Sequence, residues 1–186
     1  YVSESSRFAG KGGDARKRDL IDDLQEGRVE IQYMSFDEIS ALINSTSHQG
    51  FVAVVRERHM MDLSELIEET ADREQSIVLL LDDIEDPQNL GTILRAAECF
   101  AVDGVIWSKN RGADITPVVS KASVGASELV NIVRVANVAD AARKLKAAGY
   151  WIAASVLDEK AQPLDRFDAP SRIALVMGSE GEGLGR

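Results

Sequence analysis

The chain has 186 residues, 45% of them apolar and 28% charged, which is a globular composition with room for one α/β domain and a smaller module. A net charge of −10 argues against indiscriminate nucleic-acid binding through a wholly basic surface. No apolar run approaches the roughly 18 residues that a membrane span needs, and the first residues lack the apolar core of a signal peptide.

Residues 1–60 read as a small α/β module. They begin without an initiator Met, as a fragment edge or a processed end would. Arg7, Lys11, Arg16, Lys17 and Arg18 cluster among Ser and Gly. The cluster fits a solvated segment as well as a phosphate-contacting arm. The pattern predicts a helix over 14–27 stopped by Gly27, a strand over 29–35, a helix over 36–46 and a strand over 51–55. The acidic stretch 61–75 carries only a thin apolar stripe and reads as a linker or a surface helix. A second domain then occupies 76–186. Here strands are expected at 77–82, 104–107, 131–135, 151–156 and 173–177, and helices at 90–100, 117–129 and 138–148. Asn137 and Asp140 have the spacing of a helix cap, and Gly149 follows the end of that helix. Such alternation means an α/β fold with a mostly parallel sheet and helices on both faces. The single cysteine, Cys99, can form no intrachain disulfide, and a cytoplasmic protein is the simple reading.

Two places carry chemistry. The buried strand at 77–81 ends in acidic residues, turns through Asp86, Pro87, Gln88 and Asn89, and enters a helix around Gly91. That delivers an amide (Asn89) and a guanidinium (Arg95) to the edge of the sheet, where ligands of open α/β folds bind. In this helix Ile93, Leu94, Ala97 and Phe100 fall on the face that packs, and Arg95 and Glu98 fall away from it. Asn89 reads equally as a cap or turn residue, and Arg95 as a solvated surface arginine. The second place is the run 178–185, where glycines alternate with Ser179, Glu180 and Glu182 after a buried strand. Glycines there let backbone groups approach a ligand closely. The run is neither a Walker A loop nor a dinucleotide fingerprint, and its two carboxylates suit a neutral or cationic ligand. Between the two places, Asn110, Arg111 and Gly112 form a loop and Pro117 starts a helix in which Ala122, Gly125 and Ala126 permit close packing. His48 and His59 lack the spacing of metal ligands, so no metal is expected.

These residues match a family. Asp86-Pro87-Gln88-Asn89-Leu90-Gly91 with Leu94-Arg95-Ala96-Ala97 resembles the first motif of the SpoU (TrmH-like) RNA 2′-O-ribose methyltransferases of the SPOUT superfamily. Leu175-Val176-Met177-Gly178-Ser179-Glu180-Gly181 with Gly183 resembles the second, and residues 121–128 also look like family sequence. Residues 1–60, especially His48-Gln49-Gly50, resemble the family's N-terminal substrate-binding domain. The arrangement is closest to the ribosomal RNA guanosine 2′-O-methyltransferases.

The resemblance implies a trefoil-knotted domain, S-adenosyl-L-methionine as cofactor, RNA as substrate (ribosomal RNA first) and a homodimer that does not involve a membrane. It puts Asn89 and Arg95 in the catalytic site and Met177, Gly178, Glu180 and Gly181 around the cofactor. Methyl transfer to a ribose 2′-hydroxyl requires that hydroxyl to be positioned and deprotonated. With a pKa above about 12, Arg95 suits a phosphate anchor better than a base. The family's third motif, a Ser-Leu-Asn segment and a helix, does not occur in the 186 residues. The expectation is therefore an incomplete knot and a chain that does not methylate RNA alone. A transfer-RNA methyltransferase of the same family and a non-catalytic RNA-binding protein are the alternatives. A nicotinamide-dependent oxidoreductase would need a glycine fingerprint where Asp86–Gly91 stands.

Overall fold

The computed structural model describes residues 1–4, 15–55, 60–110, 112–156, 158–159 and 161–179. The chain divides into two compact units, Tyr1–Glu57 and Arg58–Arg186. Arg7, Lys11, His59, Arg111, Glu180, Gly181, Glu182 and the glycines beyond Gly178 lie outside the described residues.

In the first unit, β1 (Val2–Ser3) runs parallel to β2 (Tyr33–Met34), and the helices are α1 (Ala15–Glu26) and α2 (Phe36–Ile43). The helix α2 is closed at both ends. Ser35 and Glu38 form a reciprocal capping box, and Asn44 takes a left-handed conformation at the C-cap. The donors of Ser35 hold the Glu38 carboxyl below its usual value. The strands expected at 29–35 and 51–55 are largely absent. Only Tyr33–Met34 is laddered, and Phe51 makes a single antiparallel bridge to Val2. Their shared partner is the reason, because a two-residue β1 offers too few backbone groups to extend either ladder. His48 is satisfied inside this unit. Its Nδ1 accepts from the Gly50 N–H at 3.1 Å and its Nε2 lies 2.9 Å from Ser40 Oγ.

The second unit is built on a five-stranded, wholly parallel sheet of β3 (Ser76–Leu81), β4 (Gly104–Ser108), β5 (Ile132–Val135), β6 (Trp151–Ser155) and β7 (Arg172–Met177). Its order is β5-β4-β3-β7-β6. Alternate residues of β3 serve opposite faces, so after Ser76 the strand is apolar to its end. Leu79 and Leu81, with Val105, Trp107 and Ile132, pack under α4 (Pro87–Cys99) and α5 (Pro117–Ala122). Val78 and Leu80, with Ile106, Val133 and Ala174, pack under α3 (Leu63–Glu69) and α6 (Val138–Ala147). Helices therefore cover both faces. The stretch that reads as linker or surface helix thus contributes α3, whose Leu66 is fully buried and comes so close to Gly104 that a Cβ there would lie 2.6 Å from Leu66 Cδ2.

The helix expected over 117–129 is broken in two. After α5 the chain turns through Val124 (φ 54°) and Gly125 (φ 86°) into a short 3₁₀ turn at Ala126–Glu128. Ser123 Oγ helps to make the break by donating to the Ser120 carbonyl and accepting from the Ser127 N–H. Phe100, expected on the packed face of α4, is 77% exposed. The helix ends one residue earlier, and Ala101 (φ 50°) redirects the chain. At the N-terminal ends of the strands a polar cluster ties the sheet to the segment after α3. Ser76 Oγ donates to Asp103 at 2.6 Å, and Arg73 pairs with the same carboxylate. The Tyr150 hydroxyl donates to Thr70 Oγ1 at 2.8 Å and lies 2.6 Å from Ser76 Oγ, while Arg172 sits over its ring. Tyr150→Phe is expected to destabilise the unit by about 1 kcal/mol, since Ser76 and Thr70 keep other partners. Chemical denaturation measures this, and an unchanged midpoint would show the hydroxyl to be dispensable.

Candidate active site

The C-terminal ends of β3 and β7 lie side by side, with Leu81 opposite Met177, and the Asp82 N–H donates to the Met177 carbonyl at 2.8 Å. From β3 the chain passes through α4 to β4 on one side, whereas β7 comes from β6 on the other. A crevice outside the carboxyl ends of two such strands is where open parallel sheets take ligands. The rim on the β3 side is acidic, with Asp82 and Asp83 half-buried and Glu85 and Asp86 exposed.

Asp83 (φ 56°) turns the chain away from the sheet, and Asp86 starts α4. The Asp86 side chain accepts from the Gln88 N–H at 2.9 Å, and Pro87 occupies the first helical position, where its missing N–H does no harm. The helix therefore begins before Gly91, and Asn89 belongs to its first turn and not to the loop. Asn89 is half-buried and Arg95 is exposed. On a regular helix they are separated by about 9 Å along the axis and roughly 120° around it. They share an element and not a face, so one ligand can meet both only if the arginine reaches across. Leu90, Gly91, Leu94 and Ala97 form the buried face. Met177 is half-buried at the end of β7 against the cluster that holds Leu81 and Trp107, and Gly178 follows it at the crevice. Asn89 and Met177 are thus brought to one edge of the sheet.

Sequence reasoning missed the residues that support this edge. Trp107 donates from Nε1 to the Ala113 carbonyl at 3.0 Å, and the Ala113 N–H donates to the Ile84 carbonyl at 2.9 Å. Arg134 lies over the Trp107 ring and bonds Asp114 at 2.8 Å. The available signal was a tryptophan in a buried strand, whose N–H must find an acceptor. Among the described residues no helix is long and apolar enough to cross a membrane.

Comparison with known proteins agrees with this architecture. Residues 76–186 match the model of the SpoU rRNA Methylase family, and residues 5–61 match that of RNA 2′-O ribose methyltransferase substrate binding. A protein assigned to the TrmH family of tRNA/rRNA methyltransferases in Staphylococcus haemolyticus is 37% identical over 90% of this chain and 67% of its own length. The 23S rRNA (guanosine-2′-O-)-methyltransferase RlmB of Acinetobacter baylyi is 33% identical over 95% of this chain and 72% of its own. The solved SpoU methyltransferase AviRb of Streptomyces viridochromogenes, in complex with AdoMet, superposes with a TM-score of 0.70 at 24% identity. That match covers 96% of this chain and 66% of AviRb. The chain thus spans about two thirds of the length of these proteins. Its parallel sheet, covered on both faces, has the fold of the SpoU methyltransferases, the class of AviRb. Within that class, the chain belongs to the SpoU rRNA methylase family of RNA 2′-O-ribose methyltransferases.

Proposed function

We propose that the chain acts in the S-adenosylmethionine-dependent methylation of a ribose 2′-hydroxyl of ribosomal RNA, in the cytoplasm and as a homodimer. The observation that carries this reading is the pairing of β3 with β7, whose C-terminal ends bring the Asn89 turn and Met177 to one edge of the sheet. Its chemistry fits the cofactor. Met177 gives an apolar surface, and Asp82 and Asp83 give an anionic rim that would repel a phosphate and favour a cation. When bound, S-adenosylmethionine supplies an electrophilic methyl group on a sulfonium.

In this reading Met177 and Gly178 line the cofactor side of the crevice, and Glu180 and Gly181 complete it. Asn89, in the first turn of α4, hydrogen-bonds the target nucleotide and orients its ribose. Arg95 anchors a phosphate of that nucleotide through its guanidinium fork, and stays charged throughout. The 2′-hydroxyl is the group that distinguishes RNA from DNA, so holding it in line sets both reaction and substrate class. Residues 1–60 form the RNA-binding module and 76–186 the methyltransferase domain, to whose core the stretch 61–75 contributes α3. The 33% identity to RlmB supports ribosomal over transfer RNA.

Mapping of 2′-O-methylation on ribosomal and transfer RNA from cells lacking the gene tests this. One ribosomal position is expected to lose its methyl group and to regain it when the full-length protein is restored. Calorimetric titration of that protein with S-adenosylmethionine should show binding that S-adenosylhomocysteine competes away. Intact methylation in both RNA pools would overturn the function, and loss in transfer RNA alone would overturn the substrate.

A further inference from the structure

A backbone hydrogen bond joins the loop after β4 to the loop after β3. The Ala113 N–H donates to the Ile84 carbonyl at 2.9 Å. Ile84 stands two residues before Asp86, the cap that starts α4 and thereby places Asn89. Whatever holds Ala113 therefore helps to hold Asn89.

Ala113 is held from below by Trp107. The indole is 2% exposed, and its Nε1–H reaches the Ala113 carbonyl at 3.0 Å. Ala113 thus faces both ways, accepting from the core of the sheet and donating to the site loop. The fit is tight at Gly112, which has φ +120°. A Cβ there would stand 3.2 Å from Trp107 Cδ1 and 3.3 Å from the Ile84 carbonyl oxygen, so the position favours glycine, which lets the two loops approach. Arg134, on β5, fixes the outer side. Its guanidinium lies 5.1 Å from the Trp107 ring centroid. It donates to the Ser108 and Lys109 carbonyls at 3.2 and 3.3 Å and to Asp114 at 2.8 Å. Arg134 thereby grips the 108–114 loop at both ends, while Trp107 holds Ala113 beside the second of them.

We propose that Trp107 and Arg134 are positioning residues for methyl transfer, acting through Ala113 and Ile84 on the turn that carries Asn89. Neither residue is needed to touch RNA or cofactor, because the path from each to Asn89 runs through the backbone of two loops. The inference rests on the reading of the β3–β7 crevice as the active site. Misplacing a reacting group by about 1 Å from a distance lowers turnover by up to about a hundredfold. A change confined to the Asn89 turn leaves the Met177–Gly178 side in place.

Trp107→Phe removes the indole donor and keeps an aromatic ring under the loop. Arg134→Lys keeps the charge and removes the fork. In the full-length protein, each is expected to lower kcat about tenfold to a hundredfold. KM for RNA and Kd for S-adenosylmethionine should stay within about threefold. Hydrogen exchange at the amides of Ala113, Gln88 and Leu90 should quicken in both variants. A purely structural role would move thermal stability alone, so a kcat within about threefold of wild type overturns the proposal whatever the exchange shows. A rise in KM without loss of kcat overturns it too. If Trp107→Phe does not fold, Arg134→Lys decides by the same criteria. If the unaltered protein transfers no methyl group, it is the functional reading that fails. Exchange then decides for the latch: quicker exchange at Gln88 and Leu90 supports it, and unchanged exchange overturns it.

Discussion

Arg95→Ala is expected to lower kcat/KM for RNA methylation by about a hundredfold while the protein keeps its fold. The two halves of this expectation come from the same helix. Leu90, Gly91, Leu94 and Ala97 of α4 are buried, whereas Arg95 is exposed and no described residue pairs with its guanidinium. Truncating it removes nothing from the core, and alanine suits a helix interior at least as well. Its unengaged fork is free to meet an RNA phosphate. A charge-assisted hydrogen bond contributes about 1.5–3 kcal/mol, which corresponds to roughly 10- to 150-fold in rate or affinity. Arg95→Lys should retain part of the activity, because it keeps the charge and loses the planar fork. The pH profile separates anchor from base. Replacing an anchor lowers the whole curve, whereas replacing a base would move its limb. Single-turnover kinetics across pH, with circular dichroism as the control for folding, checks both. An Arg95→Ala protein as active as wild type would take Arg95 out of the site.

The second large effect is expected at Gly91. The helices α4 and α5 cross so closely that a Cβ on Gly91 would lie 2.5 Å from the Ala122 Cβ, 2.9 Å from the Val119 carbonyl oxygen and 3.0 Å from the Ser123 nitrogen. Two of these neighbours are backbone, so α5 as a whole would have to move. In an isolated helix Gly91→Ala would be worth about 1 kcal/mol of added propensity. Overpacking typically costs about 1–3 kcal/mol, so the net is a destabilisation of up to about 2 kcal/mol. At about 2–4 °C per kcal/mol for chains of this size, Tm should fall by several degrees. Adding Ala122→Gly removes the shortest contact and leaves the Val119 carbonyl, so the double variant should recover part of the loss. Calorimetry on the two single variants and the double one gives the coupling directly. A Gly91→Ala protein melting at or above wild type would show that α5 yields without penalty.

Legibility followed the physics of each element. The inner strands of the parallel sheet stood out because both their faces are buried, so runs such as 78–81 are apolar without interruption. The helix α6 was equally plain from Asn137, which caps the Asp140 N–H at 2.9 Å, and from Gly149 (φ 90°) beyond its end. The break at Val124 was not legible. A β-branched residue with positive φ runs against local preference, and it accompanies the Ser123 hydrogen bonds that end α5. Small strands also eluded the pattern, since Phe51–Val55 has the composition of a strand and only β1 to pair with. At the site, Asn89 and Arg95 were visible as residue types in a motif. That Asn89 sits inside the helix depended on Asp86 and Pro87 starting α4 earlier than apolar spacing suggests. The roles of Trp107 and Arg134 rest on hydrogen bonds between loops distant in sequence, which no periodicity records.

The central place of β3 bears on synthesis as much as on chemistry. One flank of β3 pairs with β4, which follows soon after it, and the other waits for β7, with Ser76 opposite Arg172. At ribosomal rates of about 5–20 residues per second, that flank stays bare for roughly 5–20 s while Leu79 to Leu81 are already made. A nascent three-stranded β3-β4-β5 sheet would therefore present an open, apolar edge to other chains. Chaperone engagement and aggregation during expression should concentrate in this interval, and should end when the strand carrying Met177 slides into the gap.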